Sequence, residues 1–370
     1  MRRRIAISLS FAACLATFFS PVARSQDAAP SDESITTFDG VKLDVKFYKA
    51  AVQKNGSVVI LLHAFGKDPN KGDWDGLAKT LTKEGFNVVR FDFRGHGKST
   101  DVVPEMFWKN DALSVLNKAH MKGANKNPPA KEIFVKDFEK KNAYFPMLVN
   151  DIAAIRSLVD VKNDLGEVNS SSVYFVGAGD AATLGMMFMT SEWHRDAKLP
   201  NVAIPALLPR FVSATGRIYG TDPAGRDYGG GVWLSPTRHP SVSANAVESW
   251  VSKYGRDTNG DMRKETPMLF VHGDKDKEGD LSCKYFTNQV MVAGGKTSPK
   301  LDKLDFTFLR TVKGTDLKGV DLLGKDATLG TEKMIIEFLN KMEVERKKKN
   351  RYAREYKNPL PIVINSFLAN

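Results

Sequence analysis

The chain has 370 residues, 42% of them hydrophobic, with 54 Lys and Arg against 43 Asp and Glu and a formal net charge of +11. That supplies apolar material for one large globular domain or two small ones, and it excludes a fibrous or intrinsically disordered class. Two cysteines, Cys14 and Cys283, exclude a disulfide framework.

The opening "MRRRIAISLSFAACLATFFSPVARSQ" has a basic start, an apolar run from Ile5 to about Ser20, and small residues at Ala23 and Ser25. This is the layout of a secretory signal, with cleavage expected near Ser25 and export to the periplasm, cell surface or medium. The apolar run is short for a membrane span, which weighs against an uncleaved anchor, and it continues past Cys14, which weighs against a lipoprotein. Loss of Arg2, Arg3, Arg4 and Arg24 with the signal leaves 50 basic residues against 43 acidic ones, a net +7. Cys283 then stands alone, so the mature chain forms no internal disulfide although export would permit one.

The expected layout is a signal at 1–25, one domain at 26–345 with an insertion at about 101–145, and a basic tail at 346–370. "ITTF" and "VKLDVKFY" flank Asp39-Gly40, a hairpin signal. "SVVILLHAF" (57–65) reads as a buried strand, "WDGLAKTLTKEG" as a helix closed by Gly85, and "NVVRFDF" (87–93) as the next strand. After the insertion come the helix "FPMLVNDIAAIRSLVD" and the strand-turn-helix "VYFVGAGDAATLGMMF" (173–188). A strand at "GVWLS" (231–235), a helix near 243–254, the strand "PMLFVHG" (267–273), a helix near 281–292, the strand "FTFLRTV" (306–312) and the helix "TEKMIIEFLNKM" (331–342) complete the order. Alternating strands and helices predict an α/β class with a mostly parallel central sheet and helices on both faces.

"LLHAFG" (61–66), "RFDFRGHGKS" (90–99), the strand-turn-helix at 173–188 and "FVHGDKD" (270–276), in this order, resemble the α/β-hydrolase fold superfamily, its serine esterases and peptidases in particular, over roughly residues 34–345. The resemblance implies a nucleophile on a sharp G-x-S-x-G elbow, followed later by an acid and then a histidine. On that pattern Gly177 and Ala181 take the small positions and Gly179 stands at the nucleophile. The other register makes Asp180 the nucleophile, flanked by Ala178 and Ala182, as in the aspartate-nucleophile dehalogenases and epoxide hydrolases of the fold. The strand "VYFV" ending at Gly177 fits the first register better.

The histidines are His63, His96, His120, His194, His239 and His272, and none follows "FTFLRTV", where the family carries its base. In "GTDLKGVDLL" (314–323) Lys318 stands at that position. Both nucleophile mechanisms need the imidazole. The resemblance assigns the acid to Asp276, with Asp274 a substitute, and Asp276 is expected to pair with Lys318 in a partly buried cleft. A lysine of depressed pKa acting as base is the rival for Lys318. The backbone N–H groups of Phe65 and Asp180 occupy the family's oxyanion-hole positions, where an anion or carbonyl could bind.

His63 and His272 are expected to bond neighbouring backbone, and "RGHG" (94–97) to shape its loop. "DTNGD" (257–261) places oxygen side chains at Asp257, Asn259 and Asp261, but Met262 and Met268 stand where a calcium loop needs glycine and glutamate, so a surface turn is expected. No metal and no cofactor is expected. The insertion carries Phe107, Trp108, Phe134, Phe138, Tyr144 and Phe145 and reads either as a cap over the site or as a peripheral subdomain. Eight lysines against four acids at 109–141, and the tail "ERKKKNRYAREYK" (345–357), read as solvated faces rather than anionic-surface contacts. No nucleic-acid motif accompanies them.

The expectation is an exported non-catalytic protein that holds a small molecule or a protein partner in a retained cleft. The alternative is a working hydrolase of an acyl ester or similar small substrate, using Asp180 or another non-standard nucleophile. A surface scaffold using the basic tail is a third reading.

Overall fold

The computed structural model describes residues 29–50, 56–109, 114–138, 144–194, 223–240, 242–254, 256–257, 260–291, 307–324 and 329–347. The signal at 1–25, Cys14, nearly all of the basic tail, Thr258, Asn259 and parts of the insertion lie outside the described residues.

The sheet has eight strands: β1 (Ser31–Thr36), β2 (Lys42–Tyr48), β3 (Gly56–Leu62), β4 (Asn87–Phe91), β5 (Val168–Ala178), β6 (Tyr228–Leu234), β7 (Met268–Gly273) and β8 (Thr307–Val312). Their order is 1-2-4-3-5-6-7-8. β2 runs antiparallel to β1 and β4, and every pairing from β4 to β8 is parallel. The hairpin between β1 and β2 turns at Gly40, whose φ of +87° only glycine takes without strain.

Successive side chains on a strand point to opposite faces, and the apolar runs divide accordingly. Val59 and Leu61 of β3 pack with α1 (Trp74–Lys83) and α6 (Thr331–Lys347) on one face. Val58, Ile60 and Leu62 pack on the other face with α2 (Val149–Asp164), α3 (Asp180–His194), α4 (Ala244–Tyr254) and α5 (Lys277–Tyr285). Helices on both faces of a mostly parallel sheet agree with the expected class. Among the described residues no helix is long and apolar enough to cross a membrane.

Of the boundaries that differ from expectation, two have a local cause. β6 starts at Tyr228, upstream of 231, because "YGGG" is already buried and paired with β5. α5 starts at Lys277 rather than near 281, because the Asp276 side chain accepts from Gly279 N–H and caps the helix there.

The aromatic residues of the insertion do not form a core of their own. Phe107, Trp108, Phe138, Tyr144 and Phe145 join the core on the α2–α5 face, while Phe134 stays outside, 38% exposed. A buried charge network ties this region down. Arg94 donates to the carboxylates of Asp39 and Asp151 and to the hydroxyl of Tyr144, and Asn117 donates to Asp39. Burial opposes ionisation of both carboxylates; Arg94 holds Asp39 below its usual range, while Asp151 stays above it. One guanidinium thus joins the β1–β2 turn, the insertion and α2.

Candidate functional site

β5 is buried along its whole length and ends one residue before a sharp turn. The turn falls on Gly179, at φ +60°, and α3 begins at Asp180. Close approach of strand and helix needs small residues: a Cβ on Gly177 would lie 3.1 Å from the Trp233 ring and 3.4 Å from Ala182 Cα. The turn is pinned to the segment after β6, since Gly179 N–H donates to Leu234 O at 3.0 Å and Gly179 O accepts from Thr237 N–H at 3.0 Å. Space remains at the turn itself. A Cβ on Gly179 would have only Ala64 Cβ at 3.4 Å and Thr237 Oγ1 at 3.8 Å as near neighbours.

The segment after β3 faces this turn, and two neutral histidines hold it. His63 bonds Ala64 O through Nδ1, and its Nε2 accepts from Phe93 N–H. His96 bonds Arg94 O through Nδ1, and its Nε2 accepts from Gly66 N–H at 2.7 Å. Burial lowers both pKa values, that of His63 to about 3, so each ring donates from Nδ1 and accepts at Nε2. In "RGHG", Gly95 and Gly97 take φ of +75° and +47° and turn the loop so that His96 can reach. These are loop-fastening histidines, as His63 and the "RGHG" motif suggested.

Phe65 N–H does not face an open hole. It donates to Asp180 Oδ1 at 2.9 Å. The N–H groups of Asp180 and Ala181, at the start of α3, add favourable electrostatics to the same carboxylate. Burial pushes the Asp180 pKa up to about 6, while those three donors and the Lys67 charge oppose the rise. One of the two backbone groups expected to receive an outside anion or carbonyl, Phe65 N–H, is therefore engaged by the chain's own side chain.

Asp276 is 2% exposed. Its oxygens accept from Gly279 N–H at 2.9 Å and from Ser235 Oγ at 3.0 Å. Ser235 has a φ of +38°, strained for a residue with a Cβ, and its partnership with Asp276 went unread in the sequence. Asp274 accepts from Gly314 and Thr315 N–H at 2.9 Å and shapes the loop after β8.

The expected Lys318–Asp276 pair forms but is shared: Lys318 Nζ lies 3.7 Å from Asp276 Oδ1 and 2.6 Å from Glu278 Oε2, and its side chain is 54% exposed rather than sunk in the cleft. The hydrogen bond to Glu278 raises the Lys318 pKa, so the ammonium is retained and is no base. Lys318 belongs to a surface cluster because Glu278, in the first turn of α5, draws it outward. The next residue, Gly319 at φ +54°, packs the loop onto the elbow, where its Cβ would lie 3.7 Å from Gly179 N.

His239 is a site-wall residue that the sequence did not single out. Its ring stacks on Phe145 at 4.0 Å and meets the Phe65 ring at 5.6 Å, and Phe138 also stacks on Phe65. Burial lowers its pKa. No local pattern marks it; only its distance of two residues from Thr237 carries it to the elbow. Phe138 and Phe145 reach the loop that carries the Phe65 donor.

His272 bonds Gly273 O at 2.8 Å, as expected of it. Asp257 and Asp261 lie in a two-strand hairpin, where Asp261 bonds Arg263. Among the described residues no group of His, Cys, Asp and Glu could hold a metal ion. A groove lined by Leu269, Phe308, Met334 and Phe338 lies at the sheet edge between β8 and α6, away from the elbow.

Strand order, the elbow after β5 and two helical layers define the α/β-hydrolase fold. The family described as alpha/beta hydrolase fold matches residues 57–160. A curated relative, the bifunctional esterase/perhydrolase DCH of Acinetobacter calcoaceticus, is 41% identical over 68 residues, 18% of this chain. The match spans only 23% of that relative's length. Among solved structures, a Pyrococcus furiosus esterase superposes with a TM-score of 0.45 at 15% identity, covering 84% of this chain and 90% of the esterase. Est1E of Butyrivibrio proteoclasticus, solved with bound ferulic acid, gives 0.44 at 16% identity, covering 86% of this chain and 100% of Est1E.

Proposed function

We propose that this is an exported, non-catalytic protein of the α/β-hydrolase fold that holds a ligand or partner at its cleft rather than turning over an ester. The observation that carries the reading is the elbow. Where the fold's hydrolases place their nucleophile stands Gly179, and the Phe65 donor meant for an oxyanion holds the Asp180 carboxylate instead. Lys318, a paired cation, supports the same reading at the base position. Loss of the nucleophile or base from a hydrolase triad costs about 10⁶ in turnover.

The test is reaction of the purified mature protein with a fluorophosphonate probe, alongside assays on short p-nitrophenyl esters. No labelling and no turnover are expected. Stoichiometric labelling of any serine, or an esterase activity abolished by Asp180→Asn, overturns the reading. The rival hydrolase would use Asp180 as nucleophile and would need a base, for which His239 is the imidazole at the site wall; His239→Ala tests that directly. Export rests on residues 1–25 and is checked by the N-terminus of the protein recovered outside the cytoplasm, which is expected near Ser25.

A further inference from the structure

We propose that the outer side of the insertion is a docking surface for an anionic lipid bilayer, with Phe134 entering the headgroup layer and five lysines facing it. The inference is independent of the non-catalytic reading of the elbow. Lys118, Lys122, Lys126, Lys131 and Lys136 are all exposed, and among the described residues none of these five ammonium groups is held in an ion pair. Other exposed lysines of the chain are paired: Lys71 with Asp321, Lys284 with Asp280 and Lys318 with Glu278. Over residues 114–138 the opposing carboxylates are Glu132 and Asp137, and Asp137 is occupied in accepting from Phe134 N–H at 2.9 Å.

Backbone bonds gather these charges on one lobe. Lys122 N–H donates to Asp137 O at 2.8 Å, which sets Lys122 beside Lys136, and Ala130 N–H donates to Gly123 O at 3.1 Å, which brings Lys131 to the same place. Lys126 N–H turns back on that Gly123 oxygen, and Lys118 lies one turn before Lys122 in the short helix Val115–His120. The lobe has two sides. Met121, Ile133 and Phe138 are sunk in the core, which leaves the lysines and Phe134 outside. Phe134 keeps an apolar ring in water, with the Lys136 ammonium 5.1 Å from its centroid. An exposed aromatic ring among unpaired lysines suits a bilayer interface, where the ring enters the headgroup layer and the cations meet lipid phosphates. The residue type argues against a structured polyanion. No arginine stands between Arg94 and Arg156; fixed phosphate or carboxylate geometry is read by the guanidinium fork, whereas lysine point charges suit a fluid layer of headgroups.

Vesicle binding provides the test. The mature protein is sedimented with vesicles of equal parts phosphatidylglycerol and phosphatidylcholine, or of phosphatidylcholine alone. Binding is expected to the mixed vesicles only, and should be lost in about 1 M NaCl, where the Debye length falls to about 3 Å. At about fivefold per lysine near an anionic surface, Lys122→Gln with Lys131→Gln should lower the partition coefficient about 25-fold. Changing Lys347, Lys348 and Lys349 of the tail to Gln should alter it far less. Failure to bind mixed vesicles, binding that survives the insertion changes, or binding lost only with the tail changes overturns the proposal. Phe134→Cys carrying an environment-sensitive fluorophore reads the ring position directly, since Cys283 is buried. Its emission should move to the blue on mixed vesicles and stay unchanged with heparin. An equal shift with heparin, or none with the vesicles, overturns the assignment to a bilayer.

Discussion

The Phe65 backbone N–H and the Asp180 carboxylate, 115 positions apart in the chain, meet at 2.9 Å. The contact turns a potential anion site into an internally satisfied one. It also brings a cost, because the carboxylate is taken largely out of water to make it.

That cost sets a pH dependence. The Asp180 pKa is about 6 in the folded protein, against about 3.9 for an unfolded aspartate. Between these values the folded state binds more protons than the unfolded one, so stability is greatest below about pH 4 and falls as pH rises towards 6. The loss is of order 2–3 kcal/mol. Asp180→Asn should remove it, making the variant more stable than wild type at pH 7.5 and about equal at pH 4. Denaturant unfolding at the two pH values checks this; a destabilised Asn variant at pH 7.5 would contradict it.

Gly179→Ser should lower stability through its backbone rather than through crowding. Space for the side chain exists, but a φ of +60° strains a residue with a Cβ by about 1–3 kcal/mol. A stabilising substitution would mean that the turn relaxes to another conformation.

Restoring chemistry should require three changes. Gly179→Ser with Lys318→His recreates the order of serine, acid and histidine around Asp276, yet the Asp180 carboxylate still fills the hole and would repel an oxyanion. Adding Asp180→Ala should yield hydrolysis of p-nitrophenyl acetate above wild type. A double variant as active as the triple one would show that Asp180 does not block the site.

Lys318→Met should leave the denaturant midpoint nearly unchanged, since Lys318 pairs in solvent with Glu278. Asp276→Ala, by contrast, removes the α5 cap and the partner of Ser235, and the lost cap alone should cost about 1–2 kcal/mol. A larger effect at Lys318 than at Asp276 would reverse the assignment of the buried charge.

Arg94→Met should be strongly destabilising, by about 3–5 kcal/mol, because it leaves Asp39 and Asp151 buried without their cation. The midpoint of urea unfolding reads the effect, and a loss below 1 kcal/mol would show that solvent reaches the cluster.

The order of strands and helices, the elbow at 177–182 and the lack of a histidine after the last strand were all legible in the residues themselves. They depend on local properties: the period of apolar positions, the freedom of glycine at a turn, and the identity of a side chain at a motif position. Partnerships between loops were not legible, because a loop side chain has several polar groups within reach and only packing selects among them. Lys318 was expected on Asp276, and it pairs there while the first turn of α5 adds the closer, exposed partner Glu278. Asp39 read as a hairpin residue and proved to be half of a buried cage around Arg94. His239 carried no motif and came to the Phe65 wall through the segment after β6. Asp180 read as a candidate nucleophile or a hole donor; the tertiary approach of the β3 segment to α3 made its carboxylate the acceptor of the Phe65 N–H.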